Sequence, residues 1–350
     1  MCRISAGFTK VDKTQLPGWQ CANGVPTTPV CTWGGVVCDV NTCSVTALRI
    51  GSNVYAKPIV AGTISPAIGE LTDLQEFLIY NNAISGTLPS NLGLLKKMTI
   101  LETFQCSIAG SIPSEISGMT SLVSLDIDGN RITGTIPSSL GNLTNLSFLA
   151  MDSNQLVGSL PSSLGQLTKL QQILLVSNGI SGAIPPSLAN LKLLTVFWMD
   201  YNRLTGTIPS WFGSLPGLQQ LLLGGNLMTG TIPPSLGNLQ SLIVLWLQQS
   251  GFTGTVPDSI GNAVQQQLLL YNNAFTGTLP ATIGNRTSLT NLHVENNKFT
   301  GPVPATLAKL SPTCNVFLEG NLFTCLPLAV RQWASGRSPS YVNLGAYPTC

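Results

Sequence analysis

Apolar positions fall in one fixed frame along nearly the whole chain. Over Ser121–Pro137, SLVSLDIDGNRITGTIP, it reads L-x-x-L-x-L-x-x-N-x-x-x-G-x-I-P. The closing glycine returns at Gly62, Gly86, Gly110, Gly134, Gly158, Gly182, Gly206, Gly230 and Gly254, a spacing of 24 throughout. It falls one residue early at Gly277 and is back on period at Gly301. Such a period marks a solenoid, in which each coil buries its apolar face only against its neighbours. The alternation around Leu125 and Ile127 predicts one short strand per coil from Leu74 onward, with the residues between them pointing out on an inner face.

Other positions of the frame predict the rest of each coil. Asparagine recurs at Asn82, Asn130, Asn154, Asn178, Asn202, Asn226, Asn273, Asn297 and Asn321, with Cys106 and Ser250 as departures. A buried amide at that corner can satisfy backbone groups of its own and the adjoining coil. The G-T/S-I-P piece predicts a second short extended segment, lined by Thr63, Thr87, Ser111, Thr135, Ser159, Thr207, Thr231, Thr255 and Thr278. The stretch after it predicts a helical or 3-10 turn on the convex side. An insertion over Ser52–Ala61 predicts a bulge near Lys57-Pro58, and the coil at 262–273, one residue short, predicts a tighter turn.

Composition alters little of this. Hydrophobic residues make up 43% and charged residues 9%, and the net charge of +2 gives no general pull toward nucleic acid or anionic membrane. Gly (35) and Pro (23) would suit a low-complexity tract, but here they are phased and so act as turn chemistry. No run of about 18 apolar residues could cross a bilayer. The polar start MCRISAGFTKVDKTQ does not read as a signal peptide, so a mature or truncated product is expected.

The N-x-L-x-G-x-I-P segment, as in Asn226–Pro233, resembles that of plant-type leucine-rich repeats, over roughly Cys31 to Pro327. The resemblance implies an α/β-type solenoid: a right-handed superhelix with a parallel concave sheet, a short second sheet and 3-10 or helical convex turns. Residues 1–44 are expected as an N-terminal cap, 45–313 as the solenoid and 314–350 as a C-terminal cysteine cap. Cys31-Thr-Trp-Gly-Gly-Val-Val-Cys38 is similar to the family's C-x-W-x-G-V-x-C opening, which implies a Cys31–Cys38 disulfide, with Trp19 where the family places a tryptophan. Proteins of this kind serve as ectodomains of receptor-like kinases and as inhibitors of wall-degrading enzymes, binding through the inner face.

Two features of that face stand out. Leu174, Trp198, Leu222, Trp246 and Leu269, flanked by Tyr271, form an apolar stripe with aromatic anchors, which points to a partner surface. Seven of the fourteen carboxylates lie in the outward columns, among them Asp126, Asp128, Asp152 and Asp200, and no Lys or Arg is assigned there. This predicts an acidic face that steers a cationic protein or peptide. Asp126, Asp128 and Asp152 offer the clustered oxygens of a calcium site, with a solvated acidic patch as the simpler reading. The single histidine, His293, leaves no histidine triad or zinc cluster, so neither catalysis nor a cofactor is expected.

Nine cysteines and the sequons at Asn142, Asn145 and Asn285 point to an extracellular protein. A dozen coils at about 4.8 Å each would hold the ends roughly 50 Å apart, against the about 7 Å a disulfide tolerates. Five cysteines sit near the N-terminus and three near the C-terminus, so each cap has one left over, and Cys106 stands alone. This raises a structural alternative: chains linked end to end into a filament or wall assembly. A third reading is a threonine-lined face acting on ice or glycan.

Overall fold

The computed structural model describes all residues except 13–15, 24 and 52–57, and the chain divides into two compact units, Met1–Ile180 and Ser181–Cys350. The bulge expected near Lys57 bears on residues outside those described. In the first unit the strands Glu76–Leu78, Ile100–Glu102, Ser124–Asp126, Phe148–Ala150 and Gln172–Leu174 lie parallel. Glu76, Ile100, Ser124, Phe148 and Gln172 are successive partners, so pairing follows the sequence period without a slip. In the second unit Val196–Trp198, Gln220–Leu222, Val244–Trp246, Gln267–Leu269, Asn291–His293 and Asn315–Phe317 repeat the arrangement.

The core is the set of frame leucines and isoleucines. Leu125, Ile127, Leu140, Leu143 and Leu146 have no exposed surface, and each such side chain contributes about 1.5–3 kcal/mol when buried. In the second unit Phe252, Phe275, Phe299 and Phe323 stack at centroid spacings of 6.2, 6.3 and 6.1 Å, one aromatic per coil.

The asparagines tie the coils together. Asn130 donates from Nδ2 to the carbonyls of Thr103 (2.8 Å) and Ile127 (3.0 Å), and Oδ1 accepts from the Ile108 N–H at 3.0 Å. Asn226 and Asn297 repeat this pattern. At the departures the smaller groups keep only part of it. The Cys106 thiol donates to the Ile79 carbonyl at 3.1 Å, and the Ser250 hydroxyl donates to the Gln248 carbonyl at 3.3 Å.

Five-residue 3-10 turns such as Ser138–Asn142 follow the G-x-I-P segments in all but the short coil, and hydroxyls stitch them together. Ser139 donates to the Ser114 carbonyl at 2.8 Å and Ser163 to that of Ser138 at 2.6 Å. The short coil does not tighten as expected. It forms one α turn, Ile260–Ala263, with the Val264 N–H on the Ile260 carbonyl. An α turn is wider than a 3-10 turn, and the missing residue comes out of the connection to Gln267–Leu269 instead.

Cys31 and Cys38 are bridged, and Cys21 is also disulfide-bonded. Trp19 and Trp33 are buried against each other at 5.2 Å, and Val36–Cys38 pairs antiparallel with Val45–Arg49, covering the edge of the sheet. At the other end Cys325 and Cys350 are bridged, and Trp333 donates to the Leu310 carbonyl at 2.9 Å. Cys43 is exposed and free, whereas the free Cys314 has no exposed surface, and burial pushes its thiol up to about 12. The structural alternative of an end-to-end disulfide therefore has no accessible thiol at Cys314.

Candidate ligand-binding faces

In the first unit the outward side of the strands carries Glu102, Asp126, Asp128 and Asp152. Their carboxylates also serve the backbone. Asp126 Oδ1 accepts from the Asp128 N–H at 3.1 Å, Asp128 accepts from the Asp152 N–H, and Asp152 from the Val176 N–H one coil on. Partial burial raises Asp126 and Asp152 to about 6, while burial and the two neighbouring carboxylates raise Asp128 to about 8. At neutral pH the trio thus carries less than its formal charge, because the sequence count ignores desolvation. Arg49 pairs in register with Leu78 and bonds Glu76 at 2.7 Å, which places one cation on a face expected to have none. Among the described residues no group of three or more His, Cys, Asp or Glu could hold a metal. Leu174 is half-buried, and the residue before it in its column, Ala150, is fully buried.

In the second unit Trp198, Leu222, Trp246 and Leu269 are register partners. The two indoles are fixed: Trp198 Nε1 donates to Gln220 Oε1 at 3.1 Å and Trp246 Nε1 to Gln267 Oε1 at 3.2 Å. Each ring therefore reaches toward the next coil with its polar edge satisfied, leaving its apolar body for contact. Two expected contact residues are withdrawn. Leu222 is 6% exposed, flanked on adjacent strands by Trp198 and Trp246. Asp200 is 2% exposed, its Oδ1 accepting the Gly224 N–H at 2.9 Å, so it is a backbone clamp rather than a surface charge.

The aromatic row continues past Leu269 and Tyr271, both half-buried. Tyr271 lies 6.1 Å from His293, and His293 lies 4.5 Å from Phe317. Glu295 Oε1 sits 3.3 Å from His293 Nδ1. Sequence reasoning missed Phe317 and the roles of Gln220 and Gln267. Phe317 was within reach, being 24 residues beyond His293; the glutamines gave no signal, because their hydrogen bonds depend on rotamers across strands.

A parallel-strand solenoid with capped ends and an anchored aromatic row defines a repeat scaffold that presents side chains from short strands. The family description "Leucine-rich repeat region" matches residues 59–224, and "Leucine Rich Repeat" matches 217–239 and 288–310. The chain belongs to the leucine-rich-repeat family, in its plant type. It is similar to the ectodomain of the Arabidopsis thaliana receptor kinase GASSHO1/SCHENGEN3, solved with CASPARIAN STRIP INTEGRITY FACTOR 2. The identity is 28% and the TM-score 0.83, over 99% of this chain and 43% of that one. The Arabidopsis receptor kinase HAESA, solved with the peptide hormone IDA and the co-receptor SERK1, matches at 28% identity and a TM-score of 0.76, over 99% and 60%. A plant ice-binding protein shares the fold at 22% identity and a TM-score of 0.67, over 99% and 95%. The chain thus spans about half the length of the two receptor chains. No curated protein matches the sequence significantly.

Proposed function

We propose that the chain is a non-catalytic extracellular recognition module that binds a peptide segment along the aromatic row of its second unit. Trp198, Trp246, Leu269 and Tyr271 are the contacts, extended by His293 and Phe317. The observation that carries this reading is the pinning of both indole N–H groups by Gln220 and Gln267. Aromatic anchors held before binding lose little freedom on contact. The receptor ectodomains it resembles, solved with peptide ligands, support the reading.

The test is panning of a displayed random-peptide library on the full chain. Recovered peptides should bind the wild type and lose binding to the Trp198→Ala/Trp246→Ala double variant, with thermal unfolding nearly unchanged. Equal binding to the double variant would sink the reading.

A second reading rests on the threonine rows. Within each unit the G-T/S residues are exposed, and in the second unit Thr205, Thr229, Thr253, Thr276 and Thr300 add a second exposed row. The methyls of Thr207, Thr231 and Thr255 each pack where the next coil has only a glycine, so all hold one orientation. Hydroxyls repeated at the strand spacing of about 4.8 Å can order water, which suits an ice surface. Inhibition of ice recrystallisation that Thr231→Lys/Thr255→Lys abolishes would favour this reading; no inhibition by the wild type would remove it.

A further inference from the structure

We propose that Asn142 and Asn285 carry N-linked glycans in the folded protein and that Asn145 does not. The three sequons look equivalent as sequence, but the fold separates them. Asn142 closes the 3-10 turn Ser138–Asn142, and Asn285 closes the corresponding turn Ala281–Asn285. Both asparagines are exposed, as are their sequon threonines, Thr144 and Thr287. Neither asparagine side chain has a hydrogen-bond partner among the described residues.

Asn145 is half-buried, and both ends of its amide are in use. Nδ2 donates to the Thr120 carbonyl at 3.0 Å in the preceding coil, and Oδ1 accepts from Lys169 Nζ at 2.8 Å in the following one. The hydroxyl of its sequon, Ser147, donates to the Val123 carbonyl at 3.2 Å. The Asn145 amide thus bridges three coils, and a sugar on Nδ2 would have to occupy that junction.

In the transfer, the C1–O bond of a polyprenyl-pyrophosphate-linked oligosaccharide breaks and a C1–N bond to the asparagine amide forms. The pyrophosphate leaves with the bonding electron pair, and the amide nitrogen gives up one proton. The modified amide keeps one N–H, but the sugar that replaces the other hydrogen has to fit at the junction between Thr120 and Lys169, so a chain modified at Asn145 is depleted from folded material. The same turn position is held by exposed asparagines without a sequon, such as Asn238, which is followed by Leu239 and Gln240. That position supplies an internal control.

The experiment expresses the full chain behind a secretory leader in a eukaryotic host and purifies the monodisperse fraction. Enzymatic glycan release in heavy-oxygen water followed by mass spectrometry reads the label at each asparagine. Wild type should be labelled at Asn142 and Asn285 and not at Asn145. Asn142→Gln should keep Asn285 alone, and Gln240→Thr should add Asn238. Label at Asn145 in wild type or in Asn142→Gln, absence at Asn142 or Asn285 in wild type, or absence at Asn238 in Gln240→Thr would overturn the proposal.

Discussion

Removing one rung of the asparagine ladder tests the account of coil cohesion most directly. Asn154 is 8% exposed; its Oδ1 accepts the Ile132 N–H at 3.0 Å, and its Nδ2 donates to the Ile127 carbonyl at 3.0 Å. Asn154→Ala strands the Ile132 N–H in an apolar interior, whereas the Ile127 carbonyl keeps the Asn130 amide as a donor. An unsatisfied buried group costs about 1–3 kcal/mol and a lost amide hydrogen bond about 0.5–1.5 kcal/mol, so the expected loss is about 2–4 kcal/mol, within the larger single-substitution effects. Denaturant unfolding should show it, and amide exchange should accelerate at Ile132. Asn154→Asp separates charge from geometry. Ionised, it can accept but not donate; protonated, it can do both, so its deficit should shrink toward acid pH. A loss below about 1 kcal/mol for the alanine variant would mean that water replaces the amide, and the ladder would not be what ties the coils.

Three other predictions follow from the packing. Asp126, Asp128 and Asp152 have pKa values raised to about 6, 8 and 6, so the folded state prefers their protonated forms. Stability they contribute is present at low pH and is lost as pH rises from about 4 through 8; Asp128→Asn should therefore raise the melting temperature at pH 8 and change it little at pH 5. Gly158 has φ +77, and a Cβ there would lie 2.7 Å from the Thr135 methyl. Gly336 has φ +79 and nothing within 4 Å. Alanine at Gly336 should cost about 1 kcal/mol of backbone strain, and at Gly158 clearly more, by thermal unfolding. A maleimide probe should label Cys43 in the native protein and reach Cys314 only after denaturation, read by peptide mass spectrometry; native labelling of Cys314 would contradict its burial.

Period and amphipathicity are local properties, and they carried most of the fold. The 24-residue glycine spacing implied in-register strands, the buried positions of Leu125 and Ile127 followed from alternation, and that of Asn130 from its recurring place in the frame. The short coil near 262 shows the limit, because a deletion reveals that backbone is lost but not whether the turn or its connection shortens.

For the site, sequence placed Trp198, Trp246 and Tyr271 on the outward side of their strands, since side-chain direction alternates along a strand. It could not tell that Leu222 and Asp200 on that same side are withdrawn from solvent, nor that Asp128 keeps its proton near neutrality. Direction is set by each residue's own backbone. Burial, hydrogen-bond partners and protonation are set by residues 24 positions away in adjacent coils, and only the packed structure brings those into contact.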